Sequence, residues 1–185
     1  LIAVKLTPGD CEVILTTRQG KSIRFPEKQL LDQGRATRGV RGITLSKEDR
    51  VESMELVKAD TTFLVCTENG YGKRSVFDEY RSQHRGGRGI IAIRTSDRNG
   101  LVVGAHAVTE LDALMLITAR GKMIRIAVSD VRVIGRATQG VRLISLEEGD
   151  KLVCATTVAP EDDESAPDNG AAAMPAPVAP APEAT

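Results

Sequence analysis

The sequence predicts an all-β fold made of propeller-like blades, each with four short antiparallel strands, because one pattern recurs three times in 185 residues. Each copy carries a basic loop, and the three loops cover residues 35–39, 85–89 and 136–140. A glycine and an arginine keep nearly the same fifty-residue step, at Gly20, Gly70 and Gly121 and at Arg24, Arg74 and Arg125. Self-similarity at this period is typical of stacked or radial units that bury their apolar faces against one another.

The third copy shows what one unit contains. Short apolar or alternating runs predict four strands, at residues 114–118, 123–126, 141–146 and 151–158. A hairpin turn is expected at 119–122, where Gly121 supplies a positive φ, and residues 128–131 should form a turn or one short helical turn.

The other two copies follow the same scheme. Strands are expected at residues 13–17, 22–25, 50–57, 63–67, 73–76 and 101–108. Asn69-Gly70 is a strong hairpin signal between two of these strands. Residues 1–6 fit the fourth-strand position of a preceding copy. The predicted blades are residues 1–57, 58–108 and 109–158, the first strand belonging to a preceding blade.

Three blades are too few for a closed ring, since propellers typically have about four to eight. The first residue is Leu1, inside a strand-like run. We therefore expect a partial ring that is the C-terminal piece of a longer protein with further repeats.

The net charge of zero conceals a strong asymmetry. Six of the 25 acidic residues follow Val158, where there is no Lys or Arg, so residues 1–158 hold 25 basic and 19 acidic side chains, a net charge of +6. A basic body of this kind is expected to bind polyanions. Residues 159–185, rich in acidic residues, Ala and Pro, are predicted to be a disordered tail. It is either an inert spacer or a tethered polyanion that competes for the basic loops.

Aromatic residues make up only 3% of the chain, and there is no Trp. The core must therefore be aliphatic, and a binder that stacks single-stranded bases on aromatic rings is disfavoured. Three scattered cysteines and two histidines show no metal-ligand spacing, so no metal is expected and the thiols are interpreted as free. No catalytic triad, P-loop or paired-carboxylate motif is present, nor any apolar run long enough for a membrane span.

The loop at residues 83–89, Gln-His-Arg-Gly-Gly-Arg-Gly, carries the clearest functional signal. Its glycines allow a close backbone approach to a ligand, and Arg85 and Arg88 can each donate two hydrogen bonds to one phosphate. The predicted DNA-binding residues are Arg35, Arg38, Arg41, Lys73, Arg74, Arg81, Arg85, Gly86, Gly87, Arg88, Arg132 and Arg136. Without a recognition helix, binding should be backbone-directed. The alternatives are a solvated loop whose glycines serve only a bend, and a propeller whose basic rim binds acidic proteins.

Residues 83–89 resemble the Q-R-R-G-G-R-G box in the C-terminal domain of the DNA gyrase A protein, with His84 in place of the second-position Arg. The stretches 34–42 and 135–141 resemble the degenerate boxes of other blades, and 69–74 and 98–105 resemble segments near the end of that domain. The resemblance covers about residues 1–158. It implies a six-bladed β-pinwheel in which neighbouring blades exchange strands, and it implies wrapping of duplex DNA on a basic rim.

The resemblance also implies partners. The parent would be an A2B2 type II topoisomerase of the cytoplasm, associated with the nucleoid, that introduces negative supercoils. ATP and Mg²⁺ would bind elsewhere in that complex, with no cofactor and no catalytic residue in this fragment. The family's full box lies in its first blade, whereas the similar loop here falls in the second-last copy, which predicts an auxiliary contact. A topoisomerase IV subunit is the nearest alternative.

Overall fold

The computed structural model describes residues 1–158, and the predicted tail at 159–185 lies outside the described residues. The strands are β1 Glu12–Thr17, β2 Lys21–Pro26, β3 Val51–Val57, β4 Thr62–Thr67, β5 Tyr71–Val76, β6 Ile90–Ile91, β7 Val102–Val108, β8 Ala113–Thr118, β9 Met123–Ala127, β10 Val141–Arg142 and β11 Leu152–Val158. Single turns of 3-10 helix follow the second strand of each repeat, at Glu27–Gln29, Phe77–Glu79 and Val128–Asp130. The all-β prediction is confirmed.

Each repeat is built on a hairpin whose turn needs a glycine. Gly20, Gly70 and Gly121 have φ values of 83°, 79° and 84°. At Gly70 a Cβ atom would also lie 2.7 Å from the carbonyl oxygen of Ile144, which belongs to the next repeat. The glycine therefore allows the turn and, at the same time, a close approach between repeats.

The fourth strand of a sheet comes from the following repeat. The sheet orders are β3-β1-β2-β6, β10-β5-β4-β7 and β11-β8-β9. Strand β6 pairs with β2 across the boundary between the first and second repeats, and β10 pairs with β5 across the next boundary. Exchange of strands between neighbours, which the family resemblance implied, is thus present.

Two strand predictions are wrong in detail. Residues 141–146 were expected to be one strand of their own blade, but only Val141–Arg142 is a strand, and it pairs with the preceding sheet. The chain then turns so that the amides of Leu143 and Ile144 donate to the carbonyl oxygen of Gly70. Residues 1–6 form no strand and pair with no sheet edge among residues 1–158.

Apolar side chains are shared across the boundaries between repeats. Ile14 from β1 packs with Phe63, Tyr80 and Ile93 of the second repeat. Leu64 and Cys66 of β4 pack in the same way with the core of the third repeat. Each of the first two sheets therefore packs against its successor, which fixes the positions of the second and third basic loops relative to the repeats before them.

Candidate nucleic-acid interface

Each of the two later basic loops lies directly against the preceding repeat. In the second loop the Gly86 amide donates to the carbonyl oxygen of Gly42 at 2.6 Å, and Thr44 donates from its backbone to Gly87 and from its hydroxyl to Gly86. A Cβ at Gly89 would lie 2.6 Å from the carbonyl oxygen of Ser22. The glycines of this loop thus serve contact between repeats, and the Gly86 amide is not free to bind a phosphate.

The first arginine of each of the two later loops holds neighbouring repeats together, whereas Arg35 of the first loop does not do so among residues 1–158. Arg85 donates to the carbonyl oxygens of Gln29 and Arg41 at 3.0 and 3.2 Å. Arg136, at the same place in the next repeat, donates to the carbonyl oxygen of Ile91 at 2.9 Å. Part of each guanidinium is therefore committed to holding adjacent repeats together, and only the remainder is open to a ligand.

Six of the predicted arginines remain open to solvent. Their side chains form no hydrogen bond or ion pair with any of residues 1–158: Arg35, Arg38, Arg41, Arg81, Arg88 and Arg132. Exposed guanidinium groups without carboxylate partners can donate bidentate hydrogen bonds to phosphates at little desolvation cost. These six residues are the part of the predicted site that the structure presents to solvent.

The structure corrects the placement of Lys73 and Arg74, which were expected on the binding surface. Lys73 is fully buried, and its Nζ donates to the Ser75 hydroxyl at 2.8 Å and to the carbonyl oxygen of Gly135 at 3.0 Å. Burial lowers the pKa of Lys73 to about 7. Strand β5 turns this side chain inward under the third basic loop, where it supports the loop and cannot reach DNA.

Arg74 is likewise 3% exposed, and it joins two repeats. Its Nε donates to the carbonyl oxygen of Val131 at 2.6 Å, and its Nη1 pairs with Glu110 at 2.7 Å. Arg24 binds the corresponding turn one repeat earlier, donating to the carbonyl oxygens of Phe77 and Tyr80 at 2.8 and 3.4 Å. Arg24 and Arg74 are therefore structural links to the 3-10 turn of the next repeat.

Sequence reasoning missed a cationic cluster around Tyr71. The guanidinium carbons of Arg98 and Arg142 lie 5.0 and 5.7 Å from the centroid of the Tyr71 ring. Arg142 also donates to the Tyr71 hydroxyl at 3.2 Å. The pairing of β10 with β5 places Arg142 directly opposite Tyr71, so only knowledge of the exchanged strand would have predicted the pair.

Among residues 1–158, no group of three or more His, Cys, Asp or Glu side chains is arranged to hold a metal ion. The two histidines contact the backbone instead: His106 Nε2 lies 2.7 Å from the carbonyl oxygen of Ala155, and His84 Nδ1 lies 3.0 Å from that of Arg85. Across the same residues, no helix has the length and apolar character that a membrane span requires.

Comparison with known proteins matches residues 12–58, 61–109 and 112–158 to the model of the DNA gyrase C-terminal domain, beta-propeller. The chain is 44% identical to the DNA gyrase A protein of Aminobacterium colombiense over 161 residues, which is 87% of this chain and 20% of that protein. It is 43% identical to the Escherichia coli gyrase A protein over 164 residues, 89% of this chain and 19% of that protein. The chain thus spans about a fifth of the length of these relatives.

Solved structures agree on the fold. A DNA gyrase A C-terminal domain superposes with a TM-score of 0.74 at 30% identity, covering 80% of this chain and 50% of that one. The C-terminal domain of a DNA topoisomerase IV superposes with a TM-score of 0.81 at 27% identity, covering 86% and 50%. The two kinds of domain share this architecture, while the matched family model and the sequence relatives above are those of gyrase. The chain therefore belongs to the DNA gyrase C-terminal domain family.

Proposed function

We propose that this chain binds and wraps duplex DNA as the C-terminal part of a gyrase A protein. The observation that carries the proposal is the set of exposed arginines, on the basic loops and next to them, that have no partner among residues 1–158. Exposed, unpaired guanidinium groups attract phosphates. Among residues 1–158 there is no helix that could enter the major groove and read bases. Binding is therefore directed at the DNA backbone and tolerant of sequence.

Wrapping is supported by the way successive loops adjoin. The second loop contacts residues 41–44 of the first repeat, and the third contacts residues 91–99 of the second through bonds such as that from the Arg94 amide to the carbonyl oxygen of Thr138. A duplex that follows adjoining loops has to bend, at a cost of about 1–6 kcal/mol for a site of a few turns. Several phosphate contacts would offset that cost. The loop at 83–89 would act as one contact among several.

In the complete enzyme, this wrap would present a second DNA segment for strand passage. The relatives named above are gyrase A proteins. The proposed setting is an A2B2 complex with gyrase B in the cytoplasm, associated with the nucleoid, that introduces negative supercoils. ATP and Mg²⁺ would be bound by other parts of that complex. This chain would bind the duplex and hold it in a bent path.

The salt dependence of duplex binding tests the first half of the proposal. In a gel-shift series, log K should fall linearly with log salt, with a slope of about −0.9 for each phosphate contacted. Mixed-sequence duplexes should behave alike, because the contacts do not read bases. Affinity that hardly changes with salt would reject backbone binding and would favour a propeller that recognises acidic proteins.

The topology of a nicked plasmid tests the second half. Sealing the nick with ligase in the presence of the chain should change the linking number of the closed circle if the chain wraps DNA. The control variant Lys58→Ala should change the linking number by the same amount as the unmodified chain. Lys58 is exposed, follows the end of β3 and lies at the opposite end of the β1–β3 pair from the Gly20 hairpin turn. Salt-dependent binding without a change in linking number would leave DNA binding intact and refute wrapping.

A further inference from the structure

The junction between the second and third repeats concentrates positive charge around one ring. Arg98, from the loop before β7, and Arg142, from the exchanged strand β10, both lie over Tyr71. Tyr71 is only 8% exposed, so the ring is held in place while both guanidinium groups are exposed. The junction therefore presents two cations on a rigid aromatic support.

No carboxylate among residues 1–158 compensates these charges. Neither Arg98 nor Arg142 forms an ion pair with any of residues 1–158, whereas Glu68, the nearby acid of the second hairpin, is paired with Arg18 and Lys151. Two guanidinium groups near one ring repel each other in the absence of an anion. Because residues 1–158 hold these two cations together without an acid partner, the junction is suited to binding an anionic ligand.

Hydrogen bonds of a buried asparagine preorganise the junction. Asn99 is fully buried, and its Nδ2 donates to the carbonyl oxygens of Arg94 and Gln139 at 2.9 and 3.0 Å. Arg98 donates to the Gln139 side-chain oxygen at 3.3 Å, which leaves the amide NH₂ of Gln139 as a further donor. Asn99 is thus a positioning residue that holds the turn carrying Arg98 against the third basic loop.

The preceding junction has a cationic cavity at the equivalent place. Lys21 follows Gly20 as Tyr71 follows Gly70, and Arg88 precedes Gly89 as Gln139 precedes Gly140. Lys21 and Arg88 line an open cavity of about 260 Å³ together with Thr44 and Ser46. The Lys21 ammonium donates to the Ser46 hydroxyl at 3.2 Å and has no acid partner among residues 1–158.

We propose that Arg98 and Arg142 bind a phosphate of duplex DNA at the Tyr71 junction, and that Lys21 and Arg88 bind another at the junction before it. The proposal rests on the proposed function and adds to it the boundaries between repeats as contact points. Each boundary has one cation at the residue after the hairpin glycine or opposite it, namely Lys21 and Arg142. The second cation is Arg88 on the docked loop at the earlier boundary and Arg98 on the loop before β7 at the later one. The proposed phosphate contacts therefore occur at both junctions between the three repeats, with different side chains at each.

The salt slope of duplex binding tests the Tyr71 junction. The double variant Arg98→Ala, Arg142→Ala should weaken binding to all sequences alike and reduce the magnitude of the slope by about 1 for each phosphate no longer bound. Arg142→Lys should keep most of the salt slope, because the positive charge remains. It should lower the affinity, because an ammonium group cannot donate the paired hydrogen bonds of a guanidinium group. Lys58→Ala should change neither quantity. An unchanged slope in the double variant would overturn the proposal.

Tyrosine NMR gives a readout at the site itself, since Tyr71 and Tyr80 are the only tyrosines. The hydrogen bond from Arg142 and the adjacent charge of Arg98 lower the pKa of the Tyr71 phenol. A bound phosphate neutralises those cations, so duplex DNA should raise that pKa and shift the ¹³Cζ resonance of Tyr71, assigned through Tyr71→Phe. The buried Tyr80 should not respond.

The two readouts separate the possible failures. If the unmodified chain shows no salt-dependent affinity for duplex DNA, the proposed function fails. If the chain shows salt-dependent binding to duplex DNA, but saturating DNA changes neither the Tyr71 resonance nor the pKa of the Tyr71 phenol, the junction site alone is refuted.

Discussion

Replacing Lys73 by Met should remove a large pH dependence from the stability of the fold. Lys73 is fully buried, and burial lowers its pKa from 10.5 to about 7. Met has a similar length and no charge, so it fills the same space without an ionisable group. The substitution also removes the hydrogen bonds to Ser75 and to the carbonyl oxygen of Gly135.

The direction follows from proton uptake. Between pH values of about 7 and 10.5 the unfolded chain keeps the Lys73 proton and the folded chain releases it, so stability rises with pH in that window. From about pH 6 to about pH 9.5 the gain is about 3 kcal/mol, at about 1.4 kcal/mol for each unit. Lys73→Met lacks this gain, so the unmodified chain should become more stable relative to the variant by about that amount.

Urea unfolding followed by far-ultraviolet circular dichroism measures this difference at the two pH values. The other titrating groups are common to both proteins and cancel in the comparison. The constant effect of the missing hydrogen bonds cancels as well, because only the change between the two pH values is used. A difference in unfolding free energy that is the same at both pH values would refute a buried lysine of lowered pKa.

Three further predictions concern the basic loops and the thiols. Arg88→Ala should weaken DNA binding without lowering the melting temperature, whereas Arg85→Ala should also reduce stability by about 1–2 kcal/mol because its hydrogen bonds to the backbone disappear, as thermal melts will show. Gly140→Ala should destabilise by at least about 1–2 kcal/mol in urea, because its φ is 80° and a Cβ would meet a neighbouring carbonyl oxygen at 2.7 Å. Burial raises the pKa of Cys66 to about 12, so iodoacetamide should label half-buried Cys154 first, and equal labelling by peptide mass spectrometry would contradict this.

The local elements could be predicted because they depend on neighbouring residues. The hairpin turns at Gly20, Gly70 and Gly121 follow from glycine between two apolar runs, and all three have positive φ. The 3-10 turn at Val128–Asp130 occupies the place where a short helical turn was considered. The prediction of a strand at 141–146 was wrong beyond Arg142. The strand with which Val141–Arg142 pairs lies in the preceding repeat, and a local sequence pattern does not reveal which strands pair.

The same distinction applies to the candidate site. Periodicity singled out Arg24, Arg74 and the loop arginines together, since each recurs at the same spacing. The structure separates them, because alternate residues of a strand point to opposite faces and the exchanged strands create boundaries that bury some of these faces. Arg74 pairs with Glu110 and supports a turn, whereas Arg88 remains exposed.

The sequence by itself determined the repeat, the strand type, the family and the cationic character of residues 1–158, because spacing and composition carry all four. Only the tertiary structure decided which cations are available to a ligand. Lys73 became a buried support of the third loop, and Arg98 joined Arg142 around Tyr71 from a distant part of the chain. The physical reason is that exposure and ion pairing depend on packing between repeats, and such contacts join residues far apart in the sequence, such as Tyr71 and Arg142.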